Sequence, residues 1–128
     1  MIYLDSSVLL ASVFGESRSP SGTLWDDELT SSHLLRYEVW TRLNAYGLAL
    51  SHGERASARL DRIYFVELGE PALARALEPF PVTLRTLDAL HLATAEYLRG
   101  QGEMIELASY DNRMVGAAQA LGIPITAL

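Results

Sequence analysis

Asp5, Glu38, Asp88 and Asp111 are the residues of this chain best placed to do chemistry. Asp5 directly follows the apolar run Met1-Ile2-Tyr3-Leu4, and Asp111 stands three residues after the run Ile105-Glu106-Leu107-Ala108. Both runs read as strands, and in an open parallel sheet ligand sites form outside the carboxyl ends of the strands. The two acids are therefore expected on one rim. Asp88 falls in the first turn of a strongly patterned helix, and Glu38 borders the apolar arc of another. Four carboxylates converging on one rim repel one another, and a hard divalent cation with oxygen ligands relieves that repulsion. Such an ion polarises a phosphoryl oxygen, lowers the pKa of water and stabilises a leaving oxygen in an in-line displacement. Each acid also has a purely structural alternative. Asp5 and Asp111 are suited to capping the helices that follow them. Asp88, with Thr86 as the cap, would gain about 0.3–1 kcal/mol from the helix dipole. Glu38 has Arg42 one turn away as an ion-pair partner.

The elements that must position these acids alternate along the chain. The strand at residues 1–4 is followed by a helix over Val8 to Phe14, with Asp5-Ser6-Ser7 as the capping segment. Gly15 to Gly22 is a loop, Thr23 to Asp27 a short helix, and Leu29 to Ser31 a strand. His33 to Leu48 carries Leu35, Val39, Leu43 and Tyr46 at helical spacing. The Ser51-His52-Gly53 break starts a helix over Glu54 to Ile63, and Phe65 to Leu68 reads as a strand. Pro71 opens a helix over Ala72 to Leu77, and Glu78 to Val82 is a connector. Leu87 to Arg99 is a helix ended by Gly100 or Gly102. After the strand at 105–108 come a helix over Asn112 to Leu121, stopped at Gly122, and a closing strand at Pro124-Ile125-Thr126. Strands separated by helices imply parallel pairing with helices on both faces of the sheet.

Composition narrows the chemistry. The 128 residues suit one domain, and 49% hydrophobic with 20% charged residues is enough for a core. Cysteine is absent, which removes disulfides and thiolate chemistry and points to a reducing compartment. No apolar run approaches the ~20 residues of a membrane span, and no basic residue precedes Val8, so neither an anchor nor a secretory leader is expected. All ten basic residues are arginine. The missing lysine excludes Schiff-base and P-loop mechanisms, and it excludes a phosphoaspartate receiver, which needs a lysine on the same rim. A dehalogenase-type phosphatase needs a second Asp where Ser7 stands. The net charge of -6 argues against a basic nucleic-acid-binding surface, but leaves room for a local cation site.

The opening Ile2-Tyr3-Leu4-Asp5-Ser6-Ser7 resembles the start of PIN domains. Leu84-Arg85-Thr86-Leu87-Asp88-Ala89-Leu90-His91-Leu92-Ala93-Thr94-Ala95 is very similar to the signature of the VapC-type toxins of that family. Ser109-Tyr110-Asp111 resembles the third motif, and Glu38 occupies the expected place on the second long helix. The resemblance in element order runs from residue 1 to 128 and implies a single PIN-like domain, a three-layer α/β/α fold around a short, mainly parallel sheet. It implies a Mg2+- or Mn2+-dependent endoribonuclease, the toxin of a type II toxin–antitoxin system, hydrolysing RNA with metal-activated water. It also implies a cognate antitoxin, a homodimer and a cytoplasmic location. Carried over residue by residue, Asp5, Glu38, Asp88 and Asp111 would be the catalytic acids, with Asp5 and Asp88 as direct metal ligands. Ser6 and Ser109 would orient the carboxylates, and Arg85 could contact phosphate. Where relatives carry a further acid, this chain has Asn112.

Other features keep open readings. A PIN-like domain that is catalytically silent and only binds protein or RNA is the alternative to an enzyme. His91, one turn after Asp88, reads as a core residue, and the three histidines are not paired for acid–base work. Arg55, Arg59 and Arg62 share one helix face and would either touch RNA phosphates or form a solvated face beside Glu54 and Asp61. Trp25, Trp40, Tyr37 and Tyr46 read as core or interface aromatics.

Overall fold

The computed structural model describes residues 1–128. The chain runs β1 (Ile2–Leu4), α1 (Ser6–Phe14), a 3-10 turn (Gly22–Asp26), β2 (Leu29–Ser32), α2 (Leu34–Ala45), α3 (Ala49–Leu60), β3 (Ile63–Val66), α4 (Glu70–Ala76), α5 (Thr86–Gly100), β4 (Glu106–Ala108) and α6 (Asn112–Ala120). The four strands pair in parallel in the order β3-β2-β1-β4. From β1 the chain first steps outward to β2 and β3, then returns through α4 and α5 to place β4 on the other side of β1. The reversal falls between β1 and β4, where open α/β sheets form their crevices. The expected closing strand reduces to one parallel bridge between Leu107 and Ile125.

Period-2 alternation along β1 divides the interior into two cores. Ile2 and Leu4 pack with Val8, Leu9, Leu35, Val39, Leu43 and Leu60 from α1, α2 and α3. Tyr3, between them in sequence, faces the opposite side and packs with Leu92, Leu107, Met114 and Ala117. The result is the three-layer α/β/α arrangement. No helix is long and apolar enough to cross a membrane.

Strand β2 is short and polar, Leu29-Thr30-Ser31-Ser32, yet all four residues are buried. Two of its three hydroxyls find partners in the neighbouring strands. Thr30 Oγ1 donates to the Tyr64 carbonyl at 2.7 Å, and Ser31 Oγ donates to the Leu4 carbonyl at 2.9 Å. Buried polar groups satisfied in this way avoid the cost of desolvation.

Three local expectations are corrected. The helix expected at Glu54 to Ile63 begins at Ala49 and ends at Leu60, and the following strand starts at Ile63 rather than Phe65. Gly53 is not a break but a packing residue inside α3. A Cβ there would stand 3.0 Å from Trp40 Cη2, so the missing side chain lets the α2 indole lie against α3. The helix expected at His33 to Leu48 is shorter, because Gly47 takes a left-handed φ of 67° after Ala45 ends α2. The third correction concerns Arg55, Arg59 and Arg62, which are occupied by the protein itself. Arg55 Nη1 donates to the Val13 carbonyl and Arg62 Nε to the Trp25 carbonyl, each at 3.0 Å, while Arg59 lies 4.6 Å from the centre of the Trp25 ring. They hold α3 and its C-terminal turn to α1 and the 3-10 turn, a role that neither sequence reading of this face included.

Gly53→Val is expected to destabilise the fold by about 1–3 kcal/mol, the usual cost of overpacking, by forcing the Trp40 ring away from α3. Urea denaturation of the variant beside the parent checks this.

Candidate active site

Asp5, Glu38, Asp88 and Asp111 line one open cavity of about 740 Å³ at the carboxyl edge of the sheet. Each arrives by a different element. Asp5 leaves the end of β1, Glu38 projects from the middle of α2, Asp88 from the first turn of α5, and Asp111 from the start of α6. Arg85, Ser6 and Ser7 border the same space. The structure thus brings together all four acids expected from the sequence, with Arg85 beside them.

Asp5 is buried and its hydrogen bonding is one-sided. Oδ2 accepts from Ser7 Oγ at 2.7 Å and from Ser109 Oγ at 2.8 Å. Oδ1 is buried with no partner at all. The capping alternative for Asp5 is corrected: it occupies the N-cap position of α1 but makes no side-chain cap bond. Ser7 is committed on both sides, donating to Asp5 and accepting from the Tyr110 N–H at 3.0 Å. Ser109 likewise accepts from the Asp111 N–H at 3.0 Å while donating to Asp5. Two hydroxyls therefore tie the acid after β1 to the segment after β4.

Asp111 does cap α6, its Oδ1 accepting from the backbone N–H of Arg113 at 2.9 Å and of Met114 at 3.4 Å. The cap occupies Oδ1 and holds the carboxyl at the cavity wall, so its structural and site readings coexist. Thr86 is not the expected cap of α5. It is the first helical residue, after Arg85 at the N-cap position.

Glu38 does not pair with Arg42. Its Oε2 accepts from Ser6 Oγ at 3.0 Å, and its Oε1 is hydrogen-bonded to Nε2 of the fully buried His91. Ser6 thus orients Glu38, and Ser7 rather than Ser6 serves Asp5. The Glu38 partner on α5 carries no local signal, because the two residues stand far apart in sequence.

Arg42, released from Glu38, lines the cavity with Arg18, which lies 4.6 Å over the Tyr110 ring. Neither was singled out by its sequence position. Arg18 sits in an irregular loop, and Arg42 looked spoken for.

Asp88 registers how closely the acids gather. Partial burial, then the charges of Asp5, Asp111 and Glu38, raise its pKa from 3.8 to about 6. The donor set is all hard oxygen, with one buried carboxylate oxygen left unpaired, which suits Mg2+ or Mn2+. No three acidic or histidine side chains form a closed ligand cluster.

The raised pKa sets the sign of a pH effect in metal-free protein. The folded state holds the Asp88 proton more tightly than the unfolded state, so its stabilising contribution is complete below about pH 3.8 and lost as pH rises through about 6. Asp88→Asn is expected to raise stability above that range by about 1 kcal/mol, the shift being discounted because the group is half open to solvent. Below pH 3.8 the difference should vanish. Urea titrations with chelator across this range measure it.

The chain matches the PIN domain family over residues 2–119. It is similar to Ribonuclease VapC46 of Mycobacterium tuberculosis (strain ATCC 25618 / H37Rv), with 39% identity covering 98% of this chain and 96% of the relative. Ribonuclease VapC35 from the same strain is 32% identical over 99% of this chain and 96% of its own length. Ribonuclease VapC47 of Mycobacterium tuberculosis (strain CDC 1551 / Oshkosh) is 30% identical over 95% and 93%. With its parallel sheet, its crevice between β1 and β4 and a family match spanning nearly the whole sequence, the chain belongs to the PIN domain family.

Proposed function

We propose that this protein is a divalent-metal-dependent endoribonuclease serving as the toxin of a toxin–antitoxin pair. The observation that carries the reading is the buried, unpartnered Oδ1 of Asp5 in a cavity shared with three further carboxylates. Near-full-length similarity to proteins named Ribonuclease VapC supports RNA as the substrate class.

Asp5 and Asp88 are the residues that would hold Mg2+ or Mn2+. When bound, such an ion supplies Lewis-acid stabilisation of the charge that builds on a phosphodiester under attack. Glu38 and Asp111 face the same space and would orient the attacking water and accept its proton. Ser7 and Ser109 fix Asp5, and Ser6 fixes Glu38, so the acids need little reorganisation when substrate arrives. Water adds to phosphorus as the bond to the 3′ oxygen breaks, leaving a 5′-phosphate and a 3′-hydroxyl. Arg18, Arg42 and Arg85 rim the cavity and suit the phosphates on either side of the scissile one. This local cation rim lets an acidic protein hold a polyanion.

The same carboxylate pocket suits an inhibitor that inserts an arginine in place of the cation, which is how a cognate antitoxin would silence the enzyme. A homodimer and a cytoplasmic location complete the proposal.

Asp5→Asn and Asp88→Asn are each expected to lower kcat at least 100-fold while remaining folded, and chelator should abolish parent activity until Mg2+ or Mn2+ is restored. A 2′,3′-cyclic phosphate among the sequenced product ends would overturn the mechanism. Arg18→Ala and Arg42→Ala are each expected to raise KM about fivefold, near 1 kcal/mol. Each should also reduce the slope of log affinity against log salt by about 0.7, read by binding a single-stranded oligonucleotide at graded salt.

A further inference from the structure

Tyr3 and His91 are fully buried, Tyr3 on the face of β1 away from α1, and His91 reaches Glu38 from α5. The Ser32 backbone N–H donates to the Tyr3 hydroxyl oxygen at 3.1 Å, and that hydroxyl lies 2.8 Å from His91 Nδ1. The other imidazole nitrogen, Nε2, is bonded to Glu38 Oε1. The Glu38 carboxylate oxygen can only accept, so Nε2 donates to it, and Nδ1 of the singly protonated ring is left to accept the Tyr3 hydroxyl proton. With Nδ1 accepting, the ring proton resides on Nε2 and points at the glutamate.

We infer that Tyr3 and His91 are positioning residues for Glu38, a chain of donors from the Ser32 backbone through the phenol and the imidazole that fixes which carboxylate oxygen faces the cavity. The inference rests on the reading of the pocket as a ribonuclease site. Glu38 is held at both oxygens, by His91 from the core and by Ser6 from α1. A glutamate with three side-chain torsions would otherwise sample several orientations, and the one aimed at an attacking water would be only a fraction of them. The tyrosine and histidine convert the rigidity of the sheet into a fixed direction for an acid carried by a different helix. His91 is therefore more than a core residue, the role its sequence position suggested.

Two measurements test this. In metal-free parent protein near neutral pH, the long-range proton–nitrogen spectrum of the labelled imidazoles is expected to show His91 protonated at Nε2 and bare at Nδ1. The signal is assigned by its loss in His91→Gln. A ring protonated at Nδ1, or at both nitrogens, would overturn the inference whatever the activity. In steady-state RNA cleavage, Tyr3→Phe is expected to lower kcat about tenfold with KM within twofold. His91→Ala should fall further, and His91→Gln, which restores an N–H donor toward Glu38, should recover part of the loss. Parent-like kcat in folded Tyr3→Phe, or equal losses in His91→Ala and His91→Gln, would refute it. A parent protein that cleaves no RNA with Mg2+ or Mn2+ would sink the ribonuclease reading, while the tautomer measurement would still judge the hydrogen-bond chain.

Discussion

The repulsion among four carboxylates brought to one edge of the sheet is the constraint around which this structure is arranged. Asp88 bears its clearest mark: the charges of Asp5, Asp111 and Glu38 add to burial in making it harder to ionise. A fold driven only by burial would spread such groups over the surface. Here each is delivered by an independent element, and the sheet fixes their convergence. The resulting strain is tolerable because neutral dipoles rather than cations support the most buried acid. Asp5 Oδ2 is held by two serine hydroxyls, leaving Oδ1 free and the pocket open to an external positive charge.

Seven of the ten arginines divide into two groups by the same logic. Arg55, Arg59 and Arg62 are spent on carbonyls and an indole within the fold, where a planar fork makes directional contacts a lysine could not reproduce. Arg75 acts similarly, pairing with Glu96 at 2.6 Å and lying over the Phe80 ring, so that α4 and the connector before Asp88 are tied to α5. Arg18, Arg42 and Arg85 remain at the cavity rim. The uniform use of arginine therefore hides a separation between cations that only build the scaffold and cations that line the cavity.

Much of the site was legible because strand ends and helix starts have strong local signatures. Asp5 after β1, Asp88 at the start of α5 and Asp111 before α6 could each be placed from neighbouring residues alone, and the alternation of strands and helices put them on one edge. What escaped was decided by contacts between distant segments. Gly53 looked like an interruption until Trp40 was found packed over it. Arg42 stood as the alternative partner of Glu38 because helical neighbours are visible in sequence, whereas His91, its partner on α5, is not. The destinations of Arg55 and Arg62 are backbone carbonyls, and a carbonyl leaves no trace in residue type.

The two cores meet at the sheet, and the pocket sits across their junction: Asp5 and Glu38 belong to elements of one, Asp88 and Asp111 to elements of the other. Their repulsion acts as a wedge driven into that junction. The β1–β4 ladder, prolonged by the Asp5 N–H to the Ala108 carbonyl at 3.0 Å, is the rivet that resists it. Dissolved salt screens only the exposed part of that wedge and leaves the buried backbone bonds of the rivet untouched.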